Sequence, residues 1–261
     1  MHSKEEKLEA FSRLLDIMDR LREECPWDRK QTFESLRCNT IEEAYELSEA
    51  LLNDDKANIC KELGDVLLHI VFYSRIGSET GDFDIVDVCN RLCEKLIYRH
   101  PHVFGTTEVA NAEQVVRNWE DLKLKEKEGN KTVLGGVPSS LPALIKACRI
   151  QEKACSVGFD WEEKSQVWDK VKEEINEFQA EVNKLDASEM EKEFGDVFFS
   201  LVNAARLYNI NPENALELTN KKFIARFNYI EQQAKQQGGT LREMTLAEME
   251  QLWQEAKQIT L

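Results

Sequence analysis

The chain contains the stretch EEAYE at residues 42–46 and, after fifteen further residues, ELGD at residues 62–65. The same pattern returns 131 residues later, as EEINE at residues 173–177 and EFGD at residues 193–196. Acidic residues three positions apart project from one face of a helix. The short turn at residues 53–55 makes the two helices of the first copy antiparallel neighbours. Each copy therefore predicts a helical hairpin whose groove gathers four carboxylates.

The rest of the chain also has a helical pattern. Glycine (11) and proline (5) are scarce among the 261 residues, which favours helices over a turn-rich β protein. Apolar residues recur at helical spacing, and no segment shows the alternation of a strand. The predicted helices cover residues 7–22, 33–52, 56–79, 84–99, 112–127, 141–156, 163–185, 187–208, 212–235 and 246–258. We therefore predict an all-α fold.

The repeat extends beyond the acidic residues, which indicates a tandem duplication. Arg75 matches Arg206 at the same offset of 131 residues. Matches at nearly this offset are Trp27-Asp28 with Phe159-Asp160, Lys95 and Arg99 with Lys222 and Arg226, and Trp119 and Lys123 with Trp253 and Lys257. Glycines and prolines cluster between residues 129 and 142 and break the helical pattern. We predict a first helical domain at residues 1–129, a linker at 130–140 and a second helical domain at 141–261.

Charge and composition limit the partners. The formal net charge of −15 repels duplex nucleic acid and anionic membranes, so we expect neither as a partner. No apolar run approaches the roughly 18 residues of a membrane span, and the N-terminal residues lack the apolar region of a signal peptide. The seven cysteines show no CxxC spacing, which is typical of reduced thiols. We expect a cytoplasmic protein.

The carboxylates point to a hard divalent cation. One acidic run on an exposed helix face is common without any function. Here the run recurs, and each ExxD half precedes an apolar stretch, residues 66–68 or 197–199, which places it at the edge of a core. Carboxylates at close range need a cation or raised pKa values. An all-oxygen site suits Mg²⁺, or Mn²⁺ as a substitute, with phosphate oxygens in the open positions.

At these residues the chain resembles the MazG family of nucleoside triphosphate pyrophosphohydrolases, within the all-α NTP pyrophosphatase superfamily. The family signature is EExxE followed after a gap by ExxD, and both copies match it. The resemblance covers nearly the whole chain and includes CPWD at residues 25–28, RHPHVF at 99–104, PSSL at 138–141 and VGFDW at 157–161. These motifs are those of the full-length, two-domain form of the family.

The resemblance implies a homodimer of tandem helical domains with a Mg²⁺-dependent site. The implied reaction converts NTP and water to NMP and diphosphate, with broad tolerance for ribo- and deoxyribonucleotides. The implied metal ligands are Glu174, Glu177, Glu193 and Asp196, and in the first copy Glu43, Glu46, Glu62 and Asp65. We expect Glu174 or Glu177 to accept the proton of the attacking water. The residues expected to bind substrate are Lys170, Lys192, Asn203, Arg206, Lys222, Arg226, Trp253 and Lys257.

The two copies differ around the carboxylates. Lys170 corresponds to Asn39, and Asn203 corresponds to Phe72, an apolar side chain in place of an amide. We therefore predict that the second domain carries the main catalytic site. Two alternatives stay open from the sequence. One is a pyrophosphatase restricted to dUTP or a damaged nucleotide, and the other is a non-catalytic helical scaffold with solvated acidic faces.

Overall fold

The computed structural model describes residues 1–126 and 131–259 of the chain. Within these residues the chain is helical and forms no strand, so the all-α prediction is confirmed. The helices are α1 (Lys4–Glu24), α2 (Phe33–Leu52), α3 (Lys56–Thr80), α4 (Ile85–Arg99), α5 (Pro101–Phe104), α6 (Ala112–Lys125), α7 (Ala143–Ser156), α8 (Gln166–Lys184), α9 (Ala187–Leu207), α10 (Pro212–Gln236) and α11 (Leu246–Ile259). In the described part of the chain, none of these helices has the length and hydropathy needed to span a bilayer.

The chain divides into two compact units, Met1–Ala110 and Asn111–Leu261. The division lies ahead of the predicted linker, so α6 groups with the second unit, where it contacts α7. The predicted end of the first domain at residue 129 and the first linker residue, 130, lie outside the described residues.

Each unit is built around one helical hairpin. In the first unit α2 packs along α3 and α1 packs on α3, while in the second α8 packs along α9 and α7 packs on α9. The first core contains Met18, Leu36, Val71, Phe72 and Ile76. The second is smaller, with Val167, Val171 and Ala204 packed against Leu207. Burying a side chain the size of Met18 or Phe72 contributes about 1.5–3 kcal/mol, so Phe72 helps to hold the hairpin together and Met18 holds α1 against it.

The two hairpins turn in the same way. Asp54 (φ 52°) and Leu185 (φ 60°) both adopt the left-handed conformation, and they stand 131 residues apart. The next residue in each turn is an aspartate, Asp55 or Asp186, whose side chain accepts hydrogen bonds from the first backbone N–H groups of α3 or α9. An aspartate at this position satisfies amides that have no partner within the helix. The turn therefore fixes where each ExxD helix begins relative to its EExxE helix.

Local signals also explain where the helices differ from their predicted bounds. Helix α1 begins at Lys4, three residues before the predicted start, because Ser3 and Glu6 form a reciprocal capping box. Helix α3 ends at Thr80 and is capped by Gly81, whose φ of 73° is open to glycine at little cost. The one-turn helix α5 was not predicted from the sequence, since four residues are too few to show a period.

We expect the substitution Leu185→Asn to stabilise the protein. A leucine in the left-handed region costs about 1 kcal/mol, and asparagine tolerates this conformation better. Leu185 is 84% exposed, so little packing is lost. The free energy of unfolding from urea titration should rise by about 0.5 kcal/mol. Asp54→Asn, the matching change in the first hairpin, serves as the control and should alter it by less than about 0.5 kcal/mol. A lower free energy of unfolding for Leu185→Asn would contradict this account of the turn.

Candidate active site

Carboxylates from both helices of each hairpin converge. In the first unit, oxygens of Glu43 on α2 and of Glu62 and Asp65 on α3 all lie within 4.8 Å of one another. In the second unit the same holds for Glu174 and Glu177 on α8 and Glu193 on α9. The groove predicted from the two sequence motifs is therefore present in both units, and each contains oxygen donors that can hold a cation.

Two predicted ligands lie outside these groups of three. Glu46 is on α2, with Oε2 3.9 Å from the Lys61 amine. Asp196 is on α9 and lines a cavity together with Glu174. Their assignment as metal ligands stays a prediction.

Burial and mutual repulsion both affect the pKa values of the carboxylates. Burial and the neighbouring carboxylates, Glu46 first among them, raise the pKa of Glu43. Burial, a hydrogen bond with Glu174 and the charges around it raise the pKa of Glu177. Such shifts show carboxylates that are not fully compensated by positive charge.

In the described residues a lysine from the same hairpin contacts each cluster directly. The Lys170 amine lies 2.7 Å from Glu174 Oε1 and 2.9 Å from Glu173 Oε1, and the hydrogen bond to Glu174 is the main cause of a raised Lys170 pKa. In the first unit the Lys61 amine lies 2.8 Å from Glu62 and 3.6 Å from Asp65. Lys170 was predicted as a substrate contact, whereas Lys61 was not identified from the sequence.

The donor set fits a hard divalent cation. Glu62 is 4% exposed, and its Oε2 is buried without a hydrogen-bond partner in the described part of the chain. A buried carboxylate oxygen without a partner is costly, and a bound cation would compensate it. In the second unit Glu174 is the buried member of the cluster, at 7% exposure. Oxygen-only donors of this kind suit Mg²⁺ or Mn²⁺.

A cavity of about 670 Å³ opens beside the carboxylates of the second unit. It lies among α7, α8, α9 and the segments that precede α7 and α8. Its apolar wall is formed by Leu134, Ile150, Ala154, Gly158, Phe159, Trp161 and Phe199. Its polar wall is formed by Gln151, Asp160, Lys170, Glu174, Asp196, Ser200, Asn203 and Arg206. An apolar cavity of this size with a few polar groups is typical of a small-molecule site.

One ion pair organises the polar wall. The Arg206 guanidinium donates to both carboxylate oxygens of Asp160, with Nη1 3.0 Å from Oδ2. These hydrogen bonds lower the pKa of Asp160 to about 2. Arg206 Nε and Nη2 also donate to Asn203 Oδ1, at 3.0 and 2.9 Å. The predicted residues Asn203 and Arg206 therefore act as one unit. Asp160, which the repeat matches with Asp28 and for which the sequence predicted no role, holds them in place.

The first unit has no equivalent wall at these positions. Phe72, the counterpart of Asn203, is 2% exposed and belongs to the core. Beside it, Thr40 Oγ1 lies 3.0 Å from His69 Nδ1 and 2.6 Å from the Tyr73 hydroxyl. Burial lowers the pKa of His69, which favours the neutral form of the imidazole. This network was not predicted from the sequence, although a histidine within the apolar run 66–72 was a visible signal.

A smaller cavity of about 200 Å³ in the first unit lies between α1, α3 and the start of α4. Its wall contains Asp19 and Arg75, whose side chains form an ion pair with Nε 2.6 Å from Oδ1. None of the four first-unit carboxylates lines it. The copies thus share a carboxylate cluster but differ in what lies next to it.

The remaining predicted substrate residues do not line the large cavity. Trp253 on α11 packs against Phe223, with ring centroids 5.0 Å apart, and Arg226 lies over its ring at 5.7 Å. Lys222 is exposed on α10. The Lys192 amine lies 2.6 Å from Glu189 Oε1, and Lys257 donates to Gln254. The roles of these residues stay predictions.

A family model for the MazG nucleotide pyrophosphohydrolase domain matches the chain twice, over residues 31–104 and 163–230. The chain belongs to the MazG family. Each matched segment contains one hairpin with its carboxylate cluster, so the two copies are tandem MazG domains. A MazG domain is a nucleotide pyrophosphohydrolase domain, and the chain is accordingly a hydrolase of phosphoanhydride bonds.

Full-length MazG relatives support this assignment. The chain is 44% identical over 250 residues, 95% of each chain, to the nucleoside triphosphate pyrophosphohydrolase/pyrophosphatase MazG of Thermotoga maritima. It is 39% identical over 257 residues to the nucleoside triphosphate pyrophosphohydrolase of Escherichia coli, covering 96% of this chain and 98% of that one. A crystal structure of a mazG-related protein from Thermotoga maritima aligns with 44% of this chain and 99% of its own, at 28% identity and a TM-score of 0.39.

We expect Asp160→Asn to destabilise the second MazG domain at neutral pH. The carboxylate has a folded-state pKa of about 2, below its ordinary value of 3.8, so the ion pair stabilises the fold above about pH 4 and is lost as the pH falls toward 2. Because the pair is partly solvated, we expect a loss of about 1 kcal/mol at pH 7 that shrinks below pH 4. Urea titrations at several pH values measure both effects.

Asp28→Asn is the matched control for this prediction. Asp28 is the counterpart of Asp160, and its carboxylate makes no ion pair within 4 Å in the described residues. Its substitution should change the free energy of unfolding by less than about 0.5 kcal/mol. Equal effects of the two substitutions would show that the Asp160–Arg206 pair adds no stability.

Proposed function

We propose that this MazG protein is a Mg²⁺-dependent nucleoside triphosphate pyrophosphohydrolase that converts NTP and water to NMP and diphosphate, acting on ribo- and deoxyribonucleotides alike. The reaction takes place in the second unit. The names of the relatives from Thermotoga maritima and Escherichia coli support the substrate class. The choice of Mg²⁺, of a broad nucleotide range and of the second unit rests on the geometry of the site.

One observation carries the proposal. Glu174 belongs both to the carboxylate cluster and to the wall of the 670 Å³ cavity. A nucleotide whose nucleoside enters the cavity would therefore bring its phosphates to the cluster. The first unit contains the cluster without this neighbouring wall.

The residues suited to hold Mg²⁺ are Glu174, Glu177, Glu193 and Asp196. When bound, Mg²⁺ polarises a phosphoryl oxygen and lowers the pKa of a bound water. Lys170 pairs with Glu174 when no cation is present. If Glu174 bound a cation instead, the Lys170 amine would be free to pair with a phosphate. A lysine amine of this kind stabilises charge that develops on the leaving diphosphate.

Glu177 is the better candidate for the proton acceptor. Its pKa is raised, and a base whose pKa approaches the working pH accepts a proton more readily in the transition state. Glu174, by contrast, already makes a 2.7 Å contact with the Lys170 amine. Glu174 therefore suits cation binding alone, while Glu177 suits proton transfer as well as cation binding.

The aromatic side of the cavity suits a nucleobase. Phe159, Trp161 and Phe199 contribute ring faces or edges to its wall. Stacking on an aromatic side chain tolerates different bases because every base has a π face. Such a wall supports broad base tolerance, whereas a pocket closed around uracil would favour the dUTP alternative. A panel of NTPs and dNTPs separates the two, since more than about 100-fold selectivity for one nucleotide would support the narrow reading.

We also propose that the protein is a cytoplasmic homodimer. Large apolar side chains remain exposed on α9, among them Phe194 (46%) and Phe198 (47%), whose ring centroids lie 5.0 Å apart. Apolar side chains exposed close together are typical of association surfaces. The seven free cysteines suit a reducing compartment. Light scattering that gives the mass of a single chain, 30.2 kDa, would contradict the dimer.

The decisive activity test compares matched carboxylates of the two units. We expect Glu174→Gln and Asp196→Asn to lower kcat/KM for ATP by about 100-fold or more, because each removes a negative oxygen donor beside the reacting phosphates. The equivalent changes Glu43→Gln and Asp65→Asn should leave it within about threefold. The measurement is release of AMP and diphosphate in the presence of Mg²⁺. EDTA should abolish this release, and added Mg²⁺ or Mn²⁺ should restore it.

Retention of folding in each variant is checked by thermal unfolding. Full activity of Glu174→Gln and Asp196→Asn, with loss in the first-unit variants, would move the site to the first unit. Orthophosphate in place of diphosphate would contradict the reaction. Activity that survives EDTA would contradict the requirement for a cation.

A further inference from the structure

Phe159 lies at the rim of the large cavity. It belongs to the segment between α7 and α8 and contributes to the cavity wall. The residue is nevertheless 83% exposed, whereas Phe104, the next most exposed phenylalanine, tyrosine or tryptophan in the described part of the chain, is 62% exposed. A residue that is buried within a wall is not accessible to this degree. The two observations together place Phe159 where a molecule that enters the cavity can reach its ring.

The backbone around Phe159 is held although the ring is exposed. The Phe159 N–H donates to the Ala154 carbonyl near the end of α7, at 3.1 Å. The preceding residue, Gly158, has a φ of 89°, which residues with a side chain rarely adopt. The following side chain, Asp160, is held by Arg206. Phe159 is therefore presented at a defined place, and ordering it on binding a ligand costs little.

The other two aromatic residues of the wall are more covered. Trp161 is 38% exposed and Phe199 is 41% exposed. Covering apolar surface is favourable roughly in proportion to the area that is removed from water. Of the three aromatic residues, Phe159 therefore has the most surface to contribute to the binding of a flat ligand.

The position of Phe159 next to the carboxylates is what gives its exposure a functional meaning. A single exposed phenylalanine on a protein surface needs no explanation. Phe159, however, shares its cavity with Glu174 of the carboxylate cluster. Its counterpart in the repeat, Trp27, is 58% exposed and does not line the 200 Å³ cavity of the first unit. Trp27 is therefore a matched control from the same chain.

We infer that Phe159 stacks on the nucleobase of the substrate at the rim of this cavity. This inference rests on the proposed function and names the residue that recognises the base. Stacking uses the π face that every base has, so the contact forms with any base and selects only weakly among them. A substrate without a base loses the contact, whereas exchange of one base for another keeps it.

The test compares ATP with ribose 5-triphosphate, which has a sugar and a triphosphate but no base. Diphosphate release is measured for both. In the unaltered protein kcat/KM should favour ATP by about tenfold or more, because stacking strengthens the binding of ATP alone. In Phe159→Ala this ratio should fall by about fivefold or more. The fall should come from a higher KM for ATP at an unchanged kcat, since the bound substrate and the transition state stack equally.

Variants at two positions separate stacking from other roles of the ring. Phe159→Tyr keeps an aromatic ring and should keep the ratio. Phe159→Leu keeps apolar bulk without a ring and should lose most of it. Trp27→Ala should leave the ratio unchanged. Thermal unfolding and light scattering compare the fold and the mass of each variant with those of the unaltered protein.

Three results would overturn the inference. The first is an unchanged ratio in Phe159→Ala, which together with a changed mass would assign the ring to self-association. The second is an equal loss of activity on both substrates. The third is a Phe159→Leu variant that matches the unaltered protein, because apolar cover would then suffice without stacking. If the unaltered protein releases no diphosphate from ATP, it is the proposed function that fails.

Discussion

Carboxylates brought face to face across a helical hairpin are the constraint on which the rest of the structure depends. Burial and their mutual repulsion raise the pKa of Glu43 and of Glu177. The repulsion persists because the apolar cores and the left-handed turns hold the helices in register. The charge is only partly offset by Lys61 or Lys170. A divalent cation and the phosphates that it binds complete the compensation in the proposed enzyme.

Duplication preserved this hairpin and changed what lies beside it. The first unit places Phe72 in a packed core and a neutral His69 in a small polar network. The second places Asn203 in a cavity wall, held by Arg206 and Asp160. The equal motifs therefore predict equal cation chemistry, whereas the proposed function assigns nucleotide binding to the second MazG domain because of its different wall. On that proposal one chain contains two signatures and one nucleotide site.

Much of the fold was predictable because helical periodicity and paired acidic motifs are local signals. The hairpins, the tandem arrangement and the pairing of Glu43 with Glu62 follow from spacing alone. The cavity was not predictable, because it depends on how α7 packs against α9 and on which long side chains bend into it. Asp160 gained meaning only through its contact with Arg206. Conversely, Trp253 and Lys257 recur in the repeat and were predicted to bind substrate, but they do not line the cavity.

The most direct test is the number of nucleotides bound per chain. Isothermal titration with Mg²⁺ and a non-hydrolysable ATP analogue should give one site per chain, lost in Asp196→Asn and kept in Asp65→Asn. Two equivalent sites per chain would contradict the account, because the first unit would then bind a nucleoside without the wall that is assigned to that task.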